Sequence, residues 1–95
     1  MRFEWDAEKD RANQAKHGLD FRTAARVFGD PDIVLSEDRT DAGGEQRWHA
    51  LGLAGGVEPL LVVVHVYRET KDGEETVRII SARKAGKSES RKYSE

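Results

Sequence analysis

Cysteine is absent from this sequence. No disulfide framework and no thiolate zinc site can form, and a cytoplasmic setting is expected. The N-terminal stretch "MRFEWDAEKD" has no apolar core of signal-peptide length. The longest apolar run, around "LLVVVHV", is far short of the ~20 residues needed to cross a bilayer. Histidine is scarce and scattered, at positions 17, 49 and 65, which gives a metal site little support. There is no glycine-rich phosphate loop ending in Lys-Ser/Thr and no G-x-S-x-G elbow. The expectation is a protein without membrane, metal or cofactor.

The 95 residues suggest a single domain over 1–95. Apolar content (37%) and charged content (36%) are nearly equal; the chain is polar, yet its apolar runs set it apart from a disordered one. The net charge is −2, but the distribution is uneven. Residues 1–30 hold six cations and six anions, residues 31–60 two and six, and residues 61–95 eight and six. Six of those last eight cations fall between Arg78 and Lys92. An acidic middle argues against a uniformly basic coat for nucleic acid, while a polarised end permits a local phosphate site. Against this stands the commoner explanation of a charge run, a solvated face.

The local patterns order themselves readily. "RFEW" alternates as a short strand does. Asp6 can cap a helix over Ala7–His17, with Gly18 in the left-handed position after it. Asp20 can cap a second helix, with Leu19 packing on Ala24 and a stripe of Phe21, Ala24, Ala25 and Phe28 facing the core. Pro31 ends it, and Asp30 and Asp32 beside that proline read as turn formers. Strand patterns follow in "IVLSED", "QRWHALGLA", "LLVVVHVYRE" and "TVRIISA". Asp72-Gly73 marks a hairpin between the last two, and the third is continuous enough to be buried on both sides. The tail after Ser81 can form a short basic helix, although Gly86 inside it would cost ~1 kcal/mol relative to alanine. The order predicts an α+β domain: two N-terminal helices packed on a four- to five-stranded antiparallel sheet.

The groups with chemistry in them are cationic: Arg78 on the last strand, Arg83 and Lys84 after it, then Lys87, Arg91, Lys92 and Tyr93. In a helical tail, Lys84, Lys87, Ser88 and Arg91 would share a face. Arginine's planar fork of donors matches a phosphate and stays charged. Such groups bind a nucleic-acid backbone, or stabilise the charge of a phosphorane. RNA carries its own nucleophile, the 2′-OH. A protein cleaves it by removing that proton, stabilising the pentacovalent phosphate and protonating the departing 5′-oxygen. Each histidine also has a plainer reading. His65 fits a core histidine, His17 a helix-end cation, and His49 a solvent-facing neighbour of Trp48. Tyr67, Tyr93, Trp5 and Trp48 fit packing roles.

Taken in order, "FEWDAEKDRANQAKHGLDF", "VFGDP", "RWHALGLA", "LVVVHVYRE" and "RIISARKA" resemble the BrnT family of type II toxin–antitoxin modules across nearly the whole chain. "KHG" at 16–18 and "RIISARKA" at 78–85 are the most specific pieces. The resemblance implies a RelE-like fold and a metal-independent endoribonuclease that arrests growth by cutting cellular RNA. It implies a BrnA-like ribbon-helix-helix antitoxin as partner in a hetero-oligomer, with operator DNA reached only through that antitoxin. Site residues implied are Arg78, Arg83 and Lys84, with His17, Arg47 and Tyr93 as lesser candidates; Lys87, Arg91 and Lys92 would add contacts to the RNA backbone. The alternative is a non-catalytic binding module acting as co-repressor with its antitoxin. One departure is Gly86, where the family usually carries threonine.

Overall fold

Two aspartates begin the N-terminal helices. Asp6 accepts hydrogen bonds from the Glu8 and Lys9 amides (2.8 and 3.1 Å) at the start of α1 (Ala7–His17). Gly18 closes that helix at φ 71°, a left-handed conformation that costs glycine little. Asp20 accepts from the Thr23 amide (3.0 Å) and begins α2 (Phe21–Ala25), which tightens into a 3-10 turn over Arg26–Gly29. The tightening alters the expected stripe. Phe21 and Ala24 are fully buried, but Val27 takes the third core position, and Ala25 and Phe28 are half-buried. A 3-10 turn repeats every three residues, so Val27 stacks below Ala24.

The computed structural model describes residues 1–95. Its sheet contains β1 (Arg2–Glu4), β2 (Val34–Thr40), β3 (Gln46–Ala54), β4 (Val57–Glu69) and β5 (Glu75–Lys84), and α3 (Lys87–Ser94) follows. The strand order is β1-β5-β4-β3-β2. Four strands form the expected antiparallel meander, but β1 pairs with β5 in parallel, Phe3 opposite Val77 and Glu4 opposite Arg78. The sheet is therefore mixed, and the expectation of a purely antiparallel sheet is corrected. The third helix, α3, is the short basic helix expected of the tail.

The direction of β1 follows from where α1 has to go. Asn13, buried in the middle of α1, donates its amide to the Ala82 carbonyl (2.9 Å) and the Leu19 carbonyl (2.9 Å), and accepts the Ala82 N–H (3.1 Å). β1 stops opposite Arg78, four residues short of Ala82 along β5. Beyond that point a side-chain amide takes the place of a neighbouring strand. An antiparallel β1 would aim α1 off the other end of the sheet and away from Ala82. Ala12 and Ala15 of α1 are both exposed; the helix docks through a polar residue.

The sheet has two different faces. Ala50, Ala54, Leu61, Val63, Val77, Ile79 and Ala82 form the core with Phe21, Ala24 and Val27. Since side chains alternate along a strand, Val62 and Val66 of β4 belong to the opposite face, with Leu51 of β3 paired to Val62. All three are at most 4% exposed, so β4 is buried on both sides, as its apolar run predicts.

His65 sits within this core. Its Nδ1 lies 3.0 Å from the Val63 carbonyl, its ring meets Phe28 and Tyr67 edge-on at 4.8 and 5.0 Å, and its Nε2 is buried without a partner. Burial holds its pKa below the ordinary 6.5. An unfolded chain takes up a proton near pH 6.5 that the folded chain refuses. The contribution to stability is complete above that pH and is lost as the pH falls through it. Denaturant midpoints measured on either side of pH 6.5 should show this decline, and His65→Gln should flatten it; parallel declines in both proteins would refute the assignment.

Candidate active site

The face opposite α1 and α2 carries the arginines, and a β-bulge puts them there. Arg78 and Arg83 are five residues apart, which in a regular strand would place them on opposite faces. Between them the register shifts: Ile79 pairs with His65 and Ser81 with Val64, leaving Ile80 without an opposite number. Arg78 therefore pairs with Val66 and Arg83 with Val62, four residues apart on β4, and both guanidinium groups leave the same face. At ~3.3 Å per residue the two rows lie roughly 13 Å apart.

Cross-strand pairing assembles the rest. Val34, Leu51, Val62 and Arg83 form one row across β2 to β5; Ser36, His49, Val64 and Ser81 form the next. Arg47 precedes His49 by two residues and shares its face, and Arg68 follows Val66 in the same way. Each of these groups meets a carboxylate. His49 Nε2 is 3.3 Å from Asp38 Oδ2, and Arg47 Nε is 3.9 Å from Asp41 Oδ2. Arg78 lies 3.6 Å from Glu4, and Arg68 lies 3.2 Å from Glu45 and 3.8 Å from Glu4. Arg47 Nε is buried and makes no hydrogen bond.

Arg83 has the best-made pair. Its two terminal nitrogens donate to Glu89 Oε1 and Oε2 at 2.8 and 2.7 Å, a bidentate fork. Glu89 also accepts the Gly86 N–H (2.7 Å). The Arg83 guanidinium first, then that amide, hold the Glu89 carboxyl far below its usual range, at about 2. Gly86 is the N-cap of α3, at φ −85°, so the glycine lies outside the helix and its helix-breaking cost does not arise. α3 is held at its far end by Tyr93, whose hydroxyl donates to Asp30 Oδ2 (2.6 Å). That bond pushes the Tyr93 pKa up to about 12. The same Asp30 oxygen accepts the Leu53 N–H (2.7 Å).

The expected site residues divide accordingly. Arg78, Arg83 and Arg47 come together on the open face. Lys92 lines a small cleft of about 30 Å³ there with Ser36, His49 and Glu89. Lys87 and Arg91 are on α3 and exposed. Lys84 is still in β5, one residue past Arg83, and leaves the helix-bearing face. It cannot share a helix face with Lys87 and Arg91. His17 ends α1, on the helix layer. Tyr93 is spent on Asp30. Sequence reasoning passed over His49 as solvent-facing and did not pair Glu89 with Arg83. The signals were present: Arg47, His49 and Leu51 alternate onto one face, and Glu89 stands three residues after Gly86, the spacing of a capping box.

Larger hollows lie elsewhere. One of about 870 Å³ is lined by the β2–β3 loop from Arg39 to Arg47. Another, of about 710 Å³, is apolar and lies among Met1, Phe3, Phe28 and Gly55–Gly56. Neither holds Arg78, Arg83 or a histidine. No three His, Asp or Glu side chains gather closely enough to hold a metal ion. No helix is long and apolar enough to cross a membrane.

A family model described as "Ribonuclease toxin, BrnT, of type II toxin-antitoxin system" matches residues 5–89. No curated protein matches the chain.

Proposed function

The chain belongs to the BrnT family of ribonuclease toxins of type II toxin–antitoxin systems, and from that premise we propose that it cleaves cellular RNA in the cytoplasm without a metal ion, on the open face of its sheet. The observation that carries this reading is the bulge at Ile80, which gathers Arg78 and Arg83 on one face with His49 in the row beside Arg83.

In this reaction the 2′-oxygen attacks the adjacent phosphorus and its proton leaves to water. The bond from phosphorus to the 5′-oxygen breaks, and that oxygen takes up a proton. The products are a 2′,3′-cyclic phosphate and a 5′-hydroxyl. Arg83 faces the phosphate whose charge is building, an electrostatic role that requires a donor fixed in advance. Arg78, Arg47, Lys87, Arg91 and Lys92 contact neighbouring phosphates. Lys84 and His17 lie on the helix side and Tyr93 serves Asp30, so none of the three takes part in breaking the bond. The antitoxin partner is a ribbon-helix-helix protein of BrnA type, joined in a hetero-oligomer that reaches operator DNA through the antitoxin.

The test is incubation of the purified protein with RNA in excess EDTA. Cleavage should persist, and every new end should be a cyclic phosphate or a 5′-hydroxyl. Loss of cleavage in EDTA, or 5′-phosphate ends, would overturn the mechanism. Salt-sensitive RNA binding without cleavage, together with normal growth on expression, would favour the non-catalytic co-repressor.

A further inference from the structure

We propose that His49, held by Asp38, is the general acid that protonates the departing 5′-oxygen; this rests on the metal-independent reading above.

Position is the first argument. His49 lies in the row next to Arg83, two strands away on the same face, and it lines the same cleft as Glu89. The other histidines are elsewhere: His65 is sealed in the core on the opposite face, and His17 ends α1. Orientation is the second. The Asp38 carboxylate lies against Nε2 at 3.3 Å, with both side chains about one-third exposed (28% and 33%). That leaves Nδ1, which makes no hydrogen bond within the protein, free for an RNA oxygen. A carboxylate behind an imidazole fixes the ring and its tautomer, the arrangement proton-transfer histidines use.

Elimination is the third argument. Near neutral pH the acid must hold a proton and be able to release it. Glu89, with its pKa at about 2, holds none. Tyr93, pushed up to about 12, already donates its proton to Asp30. Arginine and lysine side chains do not give up theirs readily. The groups around His49 are Asp38 on β2, Arg47 on β3, Arg83 on β5, and Glu89 and Lys92 on α3, with His65 on the far side of the sheet. Of these, His49 is the one imidazole on the open face, a side-chain type that both carries a proton and hands it on.

In the step itself the 2′-oxygen forms its bond to phosphorus and the phosphorus–O5′ bond breaks. The 5′-oxygen receives the proton from His49 Nδ1. The neutral ring regains a proton from water.

The test compares two substrates, ordinary RNA and the same RNA with sulfur in place of the bridging 5′-oxygen at the cleaved bond. A thiolate leaves without protonation. His49→Gln should slow cleavage of ordinary RNA by about 10²- to 10⁴-fold while cleaving the sulfur substrate at the wild-type rate. Asp38→Asn, which leaves the histidine in place, should give a smaller loss confined to ordinary RNA. Equal losses on both substrates in both variants, or no loss on ordinary RNA, would overturn the assignment. Wild-type protein that cleaves neither substrate in EDTA would instead sink the functional reading. Wild-type cleavage with an unaffected His49→Gln would remove only the histidine's role.

Discussion

Arg83→Ala should lower RNA cleavage by about 10²- to 10³-fold, the usual loss when one preorganised donor to a developing oxyanion is removed, and should abolish growth arrest on expression. The folded state should survive. Arg83 is 39% exposed on its side chain, and α3 keeps two other ties, the Gly86–Glu89 bond and the Tyr93–Asp30 bond. Thermal melting should therefore move far less than activity. Arg83→Lys should restore only part of the rate, because an ammonium cannot reproduce a two-pronged contact. Binding to a non-cleavable RNA should lose about one unit of salt slope, the share of one phosphate. Lys84→Ala, on the other face, is the contrast and should cost little. Undiminished toxicity of the Arg83→Ala protein, at equal soluble expression, would remove Arg83 from the site.

On the proposed reading, the bidentate pair with Glu89 lets Arg83 wait for a phosphate. An exposed guanidinium ranges over many rotamers, and fixing it costs entropy. Glu89 fixes it before RNA arrives. A phosphate then exchanges for the carboxylate, one anion for another, at a fork that is already aimed.

The second large effect is on stability. Asn13→Ala removes both partners of the Ala82 peptide groups and leaves them buried beside a methyl group. An unsatisfied buried donor or acceptor costs ~1–3 kcal/mol, so the pair should cost roughly 2–5 kcal/mol. Alanine is the better helix former by ~0.5 kcal/mol, which offsets only a small part. For a domain of this size each kcal/mol is worth ~4–8 °C, so the melting temperature should fall by at least ~6 °C. Asn13→Asp should be about as harmful, since a carboxylate faces the Ala82 carbonyl with no proton to offer. A melting temperature within a few degrees of wild type in both variants would show that Ala82 finds other partners.

Much of this fold was legible in residue patterns, and its limits are instructive. Asp6, Gly18 and Asp20 mark their helix ends because capping is local chemistry. The four-strand meander follows from alternation and from Asp72-Gly73. The direction of β1 was illegible, because three alternating residues carry no sign of whether their partner runs up or down. Asn13 looks like any polar residue on a solvated helix; its importance lies at Ala82, 69 residues away. The candidate site was half legible. The cluster of cations stood out, but which of them share a face depends on one extra residue, Ile80, and a bulge leaves no clear mark in sequence. Counting by twos would have set Arg78 and Arg83 on opposite sides and put Lys84, rather than Arg83, on the side of Arg78.

The parallel pairing of β1 with β5 also sets a timetable. β1 waits longest for its place, because its neighbour β5 is synthesised after every other strand of the sheet. Until then α1 has no Ala82 to grip, and the arginines of β5 do not yet exist. Such distant pairings slow folding, since the loop must close before any contact rewards it. On the proposed reading, the growing polypeptide lacks its RNA-facing surface until β5 has been made and has joined β1.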